Sequence, residues 1–296
     1  MPEGHTLHRL ARRLDRDLAG SSVRVSSPQG RFPDAAQLDG RKLLRAEAIG
    51  KHLLLHFEGG VVTHVHLGLF GRFRKRRAPA PARFTTRMRL EGPRATWDLS
   101  GPTCCEVLRA KGVRELRARI GADPLDPRAD PSAAIARIRK SRRAIGALLL
   151  DQELFSGIGN VYRAELLFLA GIHPALPGHQ LSESKLFEIW ENAKRLLDVG
   201  AKIGRIVTVP QAPGTRVRRA EALYVYGRRT CRACRMTIRR TVVGGRAINV
   251  CEGCQPLGEP SPRADASARS RTRGDRESSG PSPRDAGGSE RRRIRG

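Results

Sequence analysis

Four of the six cysteines are spaced as ligands of a single metal ion. Within each pair the cysteines are separated by two residues, and 16 residues lie between the pairs, which are Cys231 with Cys234 and Cys251 with Cys254. A C-x2-C turn brings two thiolates together, and two such turns form a tetrahedral site for Zn²⁺. No ligand position is left for water, so we predict one structural zinc ion per chain, which folds a module that otherwise lacks a core. Two disulfides are the alternative.

The beginning of the chain offers a second kind of chemistry. Because Pro2 is small, Met1 is normally removed before it, and the chain then starts with a secondary amine. An α-amino group has a pKa near about 8, against about 10.4 for lysine, so far more of it is unprotonated at neutral pH. Such an amine attacks an aldehyde-like carbon such as C1′ of a sugar, and the resulting iminium acidifies the hydrogens of the next carbon. Glu3 supplies a carboxyl group for proton transfer. Many proteins begin this way without such chemistry.

Two basic residues stand beside glycines at predicted turns. Lys51 follows Gly50 at the mouth of a predicted hairpin, where its ammonium group could reach a phosphate or a leaving group. Arg246 follows Gly245 near the tip of a second predicted hairpin, between the two cysteine pairs. On local evidence alone, a solvated surface side chain is the default interpretation of each of them.

The elements that position these residues follow from apolar spacing. Leucines at 7, 10, 14 and 18 recur at helical spacing and predict a helix that begins just after residue 4. Residues 51–57 and 61–67 flank a Glu-Gly-Gly turn and predict a hairpin, and 84–91 and 94–99 are further strand candidates. We expect a β-rich N-terminal region, a sandwich or a barrel, with one leading helix.

A helical region follows from 131 to about 204. Within it, a turn at 156–159 precedes helices predicted at 160–169 and 182–199. Residues 205–222 are interpreted as a mobile loop, and 237–243 with 247–250 as a hairpin between the cysteine pairs. The remaining pair, Cys104 and Cys105, is interpreted as ordinary buried thiols. Residues 257–296 carry almost no apolar side chains, so we predict that this tail is disordered.

The charge of the chain indicates a polyanionic partner. The 56 basic residues exceed the 29 acidic ones and give a net charge of +27, which fits nucleic acid or an anionic membrane surface. No apolar run reaches the length of a membrane span, and the N-terminus lacks the pattern of a secretory signal. We therefore expect a cytoplasmic protein, associated with the nucleoid, whose cysteines stay reduced. A reducing compartment argues against the two disulfides.

Taken together, these residues resemble the formamidopyrimidine-DNA glycosylase/endonuclease VIII family. The matching motifs occur in family order over residues 2–255. They are Pro2-Glu3-Gly4, Gly50-Lys51-His52-Leu53, His66-Leu67-Gly68-Leu69-Phe70-Gly71, Gly121-Ala122-Asp123-Pro124-Leu125, the run 146–152 leading into Gly157-Ile158-Gly159-Asn160-Val161-Tyr162, and Arg246 five residues before Cys251.

The resemblance implies an α+β fold of several domains with DNA in the cleft between them. A catalytic β-sandwich with a leading helix would occupy 1–125, and a helix–two-turn–helix DNA-binding domain would occupy 131–222. A four-cysteine zinc finger would follow at 223–256, and a disordered basic tail at 257–296.

It also implies roles for individual residues. Pro2 would be the Schiff-base nucleophile and Glu3 the proton donor at the sugar. Lys51 would contact the phosphate and assist β-elimination, and Arg246 would assist δ-elimination while holding the lesion's phosphate. Four further residues are expected to contact DNA: Leu69 and Phe70 as apolar void-fillers, Arg119 at the opposite face of the kinked duplex, and Asn160 at a helix N-terminus whose amides suit a phosphate. Without the resemblance, hairpin core is an equally good interpretation of Leu69 and Phe70.

The chain departs from the family pattern at several points. Thr6 stands where a Glu is usual, His5 where Pro or Asp is frequent, and Gly68 where some endonuclease VIII members have a polar residue. The Arg-Arg-Phe-Gly type motif of the oxidised-purine branch is missing from 100–115, and the loop at 205–222 is short. Both absences favour the endonuclease VIII branch and oxidised pyrimidines.

The sequence therefore predicts a bifunctional DNA glycosylase and abasic-site lyase of base excision repair. Its partner would be duplex DNA with oxidised bases or abasic sites, its only cofactor structural Zn²⁺, and its form a monomer without membrane contact. Two alternatives stay open: a protein that binds damaged DNA without cutting it, and an oxidised-purine glycosylase on the same fold.

Overall fold

The structure is a computed structural model that describes residues 2–76, 81–210, 215 and 217–258. The predicted tail at 257–296 therefore lies, except for its first two residues, outside the described residues, and so does part of the loop predicted at 205–222. Within the described part, no helix has the length and apolar content needed to cross a membrane.

The N-terminal region is a sandwich of two four-stranded antiparallel sheets with a leading helix, as predicted. One sheet has the order β1-β6-β7-β5 and the other β2-β3-β4-β8. The elements are helix α1 Gly4–Leu18, β1 Arg24–Ser26, α2 Ala35–Leu38, β2 Leu43–Ile49, β3 His52–Phe57, β4 Val61–His66, β5 Arg72–Arg76, β6 Thr86–Glu91, β7 Thr96–Ser100, β8 Cys104–Leu108 and α3 Ala110–Arg119.

Alternation of apolar residues explains how the two sheets share a core. Leu53, Leu55 and Phe57 of β3 are buried together with Met88 of β6 and Trp97 of β7. Residues at every second position of a strand share one face, so each sheet presents one apolar face to the other. The leucines of α1 pack into the same core, and the arginines of this helix lie on its other faces.

Helices α2 and α3 and strands β1, β2, β5 and β8 were not predicted as individual elements. Helix α3 has Leu116 as its one fully buried side chain, which packs with Leu54 and Val62 on the outer face of the second sheet. Strand β5 is made of basic residues and one Phe, and no side chain in it is fully buried. Such segments give little apolar periodicity, so only pairing with a neighbouring strand or packing on a sheet defines them.

The second half of the described chain is helical and ends in a hairpin. The helices are α4 Ser132–Arg139, α5 Ile145–Leu148, α6 Asn160–Ala170 and α7 Glu183–Ile203, with short 3₁₀ turns at Gly178–Gln180 and Arg219–Glu221. Helix α6 begins and ends within one residue of the prediction, whereas α7 continues four residues further. Gly171 and Gly204 end these two helices in the left-handed conformation that favours glycine.

Strands β9 Arg239–Val243 and β10 Arg246–Val250 form the predicted hairpin between the cysteine pairs. Val243 pairs with Arg246, and Gly244 and Gly245 make the two-residue turn with φ of 61° and 74°. Both positive values suit the primed turns of short hairpins. Val243, Ile248 and Cys251 are buried in the same core as α5, α6 and α7, so the finger packs on the helical region.

Candidate active site

Glu3 is the residue that brings the beginning of the chain into the interior. Its side chain is completely buried, and its two carboxylate oxygens accept hydrogen bonds from the first backbone amides of α6. Gly159 N lies 2.9 Å from Oε2, Val161 N lies 2.8 Å from Oε1, and Tyr162 N lies 3.3 Å from Oε2. Burial raises the pKa of Glu3, and these hydrogen bonds and the charge of Lys51 act in the opposite direction.

This arrangement bears on the expectation that the start of α6 contacts a DNA phosphate. The amides of Gly159, Val161 and Tyr162 donate to the carboxylate of Glu3, and the role expected of Asn160 stays a prediction. The physical preference of a helix N-terminus for an anion is as expected, but the anion belongs to the chain itself.

The first residues are fixed further by contact with the turn before α6. Gly4 N donates to the carbonyl oxygen of Gly157 at 2.8 Å. A Cβ on Gly4 would lie 2.8 Å from the Cα of Gly157, so the two backbones touch and a larger residue does not fit. Pro2 is half-buried and immediately precedes this anchored pair. Its nitrogen is therefore held at the junction between the sandwich and the helical region.

Lys51 reaches the same turn from the sandwich. Its Nζ donates to the carbonyl oxygen of Ile158 at 2.6 Å. Burial lowers the pKa of Lys51 to about 8, with the charge of Glu3 acting against this shift and that of Arg246 adding to it. Gly50 before it has φ of 55°, and its amide donates to Asp123 at 2.6 Å, which fixes the turn that presents the lysine.

Arg246 approaches from the finger. It is the first residue of β10 and is exposed, and its charge lowers the pKa of both Lys51 and Arg163. Arg163 is completely buried in α6 and donates to the carbonyl oxygens of Val243 and Gly146 at 3.0 and 3.1 Å. Burial lowers the pKa of Arg163 to about 10. This side chain therefore ties the turn of the hairpin to the helix that holds Glu3.

Asn160 lies at the same helix–hairpin junction. Its Nδ2 donates to the carbonyl oxygen of Ala247 at 3.0 Å, and its Oδ1 accepts from Arg163 at 2.6 Å. It also lines a concavity of about 560 Å³ whose other lining residues include Arg228, Arg229 and Arg240. The concavity is basic and open, which suits a phosphate backbone.

Leu69 and Phe70 are at the tip of the turn between β4 and β5. Their side chains are 58% and 79% exposed, so the interpretation of these residues as hairpin core is wrong. Gly68 has φ of 62°, and a Cβ on Gly71 would lie 2.2 Å from the carbonyl oxygen of Leu67, so the turn needs both glycines. The structure thus presents two adjacent apolar side chains to solvent on a tightly specified turn.

Arg119 is exposed at the C-terminal end of α3. Its charge acts on His52 and Glu106, which lie on the outer face of the second sheet. Arg119 therefore stands beside that face, whereas Glu3, Lys51 and Arg246 meet around α6.

The four spaced cysteines converge as predicted. The Sγ atoms of Cys231 and Cys254 are 3.9 Å apart, those of Cys234 and Cys251 are 3.4 Å apart, and all four lie within 4.8 Å of one another. With Zn–S bonds of about 2.3 Å, a tetrahedral site places its sulfurs roughly 3.8 Å apart. The four thiols therefore fit a metal ion of this size.

Cys104 is not part of this group. It is half-buried and contacts His64 and Glu106, so its interpretation as an ordinary buried thiol was wrong.

The two family departures next to Pro2 also have a structural account. His5 is buried edge-on against Tyr162, with ring centroids 5.4 Å apart, and its Nε2 lies 3.2 Å from Oγ1 of Thr6. Burial lowers the pKa of His5 to about 4. The imidazole is therefore neutral at physiological pH and adds no positive charge beside the N-terminus.

Sequence reasoning missed Arg163 and Glu165, two fully buried charged residues of α6. Glu165 accepts backbone hydrogen bonds of 2.8 to 2.9 Å from Tyr224, Val225 and Tyr226, which lead into the finger. The signal was available, because both charges interrupt a helix that is otherwise apolar, and such residues need a partner.

Comparison with known proteins agrees with this architecture. Family models described as the formamidopyrimidine-DNA glycosylase N-terminal domain and H2TH domain match residues 1–100 and 120–211. The chain is 45% identical to "Endonuclease 8 1" of Mycobacterium tuberculosis over 86% of this chain and 100% of that protein. It is 31% identical to formamidopyrimidine-DNA glycosylase of Thermus thermophilus over 87% of this chain and 100% of that protein.

A solved structure of the MutM (Fpg) protein from Thermus thermophilus superposes with a TM-score of 0.72 at 30% identity, covering 87% of this chain and 100% of that one. These matches define the enzyme class as DNA glycosylase with abasic-site lyase activity, in base excision repair. The chain belongs to the formamidopyrimidine-DNA glycosylase/endonuclease VIII family.

Proposed function

We propose that the protein excises oxidised pyrimidines from duplex DNA and then cuts the strand by β,δ-elimination, with Pro2 as the nucleophile. The observation that carries this proposal is the meeting of three separate segments at the start of α6. Glu3 accepts the helix amides, Lys51 binds the carbonyl oxygen of Ile158, and Arg246 stands close enough to lower the pKa of Lys51. A carboxyl group and two cations beside an N-terminal amine suit an attack by that amine on a sugar, because the cations can bind the phosphates on either side of it.

Pro2 acts once Met1 has been removed. The neutral secondary amine attacks C1′, the bond from C1′ to the base breaks, and the base leaves with its electron pair and a proton. The sugar ring opens as the C1′–N iminium forms, and Glu3 protonates the ring oxygen. A raised pKa, caused mainly by burial, suits a carboxyl group that must hold a proton before it donates one.

The eliminations follow from the iminium. It acidifies C2′, so a C2′ proton leaves, the electron pair of that C–H bond ends in a C2′–C3′ double bond, and the 3′ phosphate departs with the C3′–O electron pair. Loss of the C4′ proton then expels the 5′ phosphate with the C5′–O electron pair, and hydrolysis of the iminium frees Pro2. Lys51 and Arg246 hold the departing phosphates, because their charges offset the charge that develops on the leaving oxygens.

Duplex DNA is the proposed partner. The net charge of +27 and the arginine-lined concavity beside Asn160 suit a phosphate backbone. Leu69 and Phe70 would replace the extruded base in the stack, and Arg119 would contact the opposite face of the kinked duplex. A similar solved structure, at 25% identity and a TM-score of 0.73, is the complex of Lactococcus lactis Fpg with N7-benzyl-Fapy-dG-containing DNA.

The four cysteines would hold one structural Zn²⁺. The ion's contribution is to cross-link the two ends of the β9–β10 hairpin, which places Arg246 next to α6. The proposed division of the chain is a catalytic sandwich over 1–125, a helix–two-turn–helix domain over 131–222, the finger over 223–256 and a basic tail over 257–296. The enzyme would act as a monomer on the nucleoid.

Borohydride trapping on an abasic-site duplex tests the proposal. The wild-type protein should form a covalent band that the Pro2→Gly variant does not form. A panel of duplexes with oxidised pyrimidines or oxidised purines then separates the two glycosylase alternatives. Absence of any trapped band, with retained binding to the damaged duplex, would support a non-catalytic binding protein instead.

A further inference from the structure

The outer face of the second sheet carries a cluster of metal-ligating side chains apart from the four cysteines of the finger. Strand β4 pairs antiparallel with β8, so that His64 lies opposite Glu106 and His66 opposite Cys104. Cys104 and Glu106 are two residues apart on β8 and therefore point to the same face. That face also receives His64 from the neighbouring strand. A nitrogen, a sulfur and a carboxylate oxygen meet there.

The distances between these atoms match the spacing of metal ligands. Nδ1 of His64 lies 2.8 Å from Oε1 of Glu106 and 3.7 Å from Sγ of Cys104, and Sγ of Cys104 lies 3.3 Å from Oε1 of Glu106. Around a tetrahedral Zn²⁺, with bonds of about 2.3 Å to sulfur and about 2.1 Å to nitrogen or oxygen, ligand atoms are roughly 3.4 to 3.6 Å apart. The half-exposed Glu106 side chain can open its short contact with His64 by a small rotation.

A second residue fixes the orientation of His64. Nε2 of His64 lies 2.9 Å from Nδ1 of His52, and the two rings stack with centroids 5.1 Å apart. The side chain of His64 is only 7% exposed, so the ring cannot turn freely. Metal-binding histidines use one nitrogen for the ion and the other for such a hydrogen bond, which selects the tautomer.

We propose that His64, Cys104 and Glu106 form a second metal site, which takes a borderline divalent transition metal ion, Zn²⁺ first, and leaves one coordination position open. The mixed set of nitrogen, sulfur and oxygen disfavours Mg²⁺ and Ca²⁺, which take oxygen ligands. On binding, the thiol of Cys104 loses its proton to solvent and the sulfur bonds to the ion. With the thiolate and the carboxylate both bound, the loaded site is neutral.

Metal binding at this site would change the charge of the surface around Arg119. The charge of Arg119 acts on both His52 and Glu106, so this arginine is a counter-charge for the carboxylate. Metal binding would neutralise that carboxylate and so make the surface beside Arg119 more positive. In the alternative without a metal, Glu106, His64 and His52 form a hydrogen-bonded chain, and the thiol of Cys104 donates a further hydrogen bond to Glu106.

The metal content of the full-length protein, dialysed against buffered free Zn²⁺ and measured by mass spectrometry, tests the site. We expect wild-type protein to hold one more zinc ion per chain than the Cys104→Ala variant. Cys105→Ala is the matched control, because Cys105 is the adjacent half-buried thiol but packs towards the sandwich core, and it should retain the wild-type content. Because the comparison is a difference, it does not depend on how much metal the finger holds.

Two further variants keep the test clear if Cys104→Ala folds poorly. His52→Ala removes the partner that orients His64 and should weaken binding of the additional zinc by about 10–100-fold. Glu106→Gln replaces a ligand at an accessible position and should weaken it at least as much. With Co²⁺ in place of zinc, the thiolate-to-metal absorption should be larger in wild type than in Cys104→Ala. Equal zinc content in wild type, Cys104→Ala and Glu106→Gln would overturn the proposal.

Discussion

The carboxylate of Glu3 accepts a hydrogen bond of 2.9 Å from the backbone amide of Gly159, although 156 residues separate the two positions. This contact joins the first residues of the sandwich to the first turn of α6. The residue before Glu3 is Pro2, so the helix N-terminus fixes the position of the proposed nucleophile. The same contact therefore joins the sandwich to α6 and positions Pro2 in the proposed active site.

Replacing Glu3 by Gln tests that coupling. Gln has a single oxygen for the three amides that the carboxylate accepts, so at least one buried donor meets an NH₂ group. We expect the free energy of unfolding to fall by about 1–3 kcal/mol and strand cleavage to fall by at least about 100-fold. Urea denaturation and a nicking assay measure the two effects.

Glu58→Gln is the control, because Glu58 is exposed in the turn between β3 and β4. It should change neither property. If Glu3→Gln matched wild type in both assays, the contact would not organise the site.

The buried Lys51 should make the free energy of unfolding of the protein depend on pH. Burial lowers its pKa from 10.5 to about 8 in the folded protein. Between these two values the unfolded chain binds more protons than the folded one, so the contribution of Lys51 to stability increases as the pH rises through this window. Below the window, the cost of burying its charge is fully present.

Lys51→Met should therefore be more stable than wild type at neutral pH, on the order of 1–3 kcal/mol, and this advantage should shrink as the pH approaches 10.5. Gln152 still donates to the carbonyl oxygen of Ile158 in this variant, so that acceptor keeps a partner. Urea midpoints across the pH range provide the measurement, with the exposed Lys140→Met as the control. A variant less stable than wild type at neutral pH would refute the assigned burial cost.

The exposed pair Leu69 and Phe70 should matter for DNA and not for folding. Unstacking a base costs a few kcal/mol, and an apolar side chain in the vacated space offsets part of that cost, so we expect Phe70→Ala to weaken binding of a lesion duplex by roughly 10–100-fold. Its thermal unfolding should change little, because the side chain is 79% exposed. Leu44→Ala, at another exposed apolar residue, should leave both properties unchanged. Equal DNA affinity of Phe70→Ala and Leu44→Ala would contradict the proposed void-filling role of Phe70.

Several features were predictable from the sequence because they depend on local spacing. The helix at Gly4–Leu18, the hairpin of β3 and β4, and helix α6 follow from apolar periods, and the finger follows from the two C-x2-C pairs. The contact between Glu3 and Gly159 was not predictable in this way, because nothing near residue 3 indicates which helix it will meet. The same holds for Arg163, whose partners are the carbonyl groups of Gly146 in α5 and of Val243 on a distant hairpin.

Loss of the four-cysteine site should reduce strand cleavage while the sandwich still folds. In Cys234→Ser the hairpin of β9 and β10 would lose one ligand of the proposed zinc ion, so that Arg163 alone would hold its turn against α6 and Arg246 would be placed less firmly. We expect zinc content to fall by one ion per chain and strand cleavage to fall by at least about 100-fold, since removing one group that stabilises developing charge costs about this much. The control variant Cys105→Ser should keep the zinc content and the cleavage rate of the wild type. A nicking rate for Cys234→Ser equal to that of the wild type would show that the position of Arg246 does not depend on the four-cysteine site.

Mass spectrometry of the borohydride-reduced protein–DNA adduct tests the central claim most directly. After digestion with protease and nuclease, the N-terminal peptide should begin at Pro2 and carry the reduced sugar on the proline nitrogen, while the peptide with Lys51 should be unmodified. An adduct on Lys51 or any other side chain, or an active protein that still carries Met1, would contradict the account.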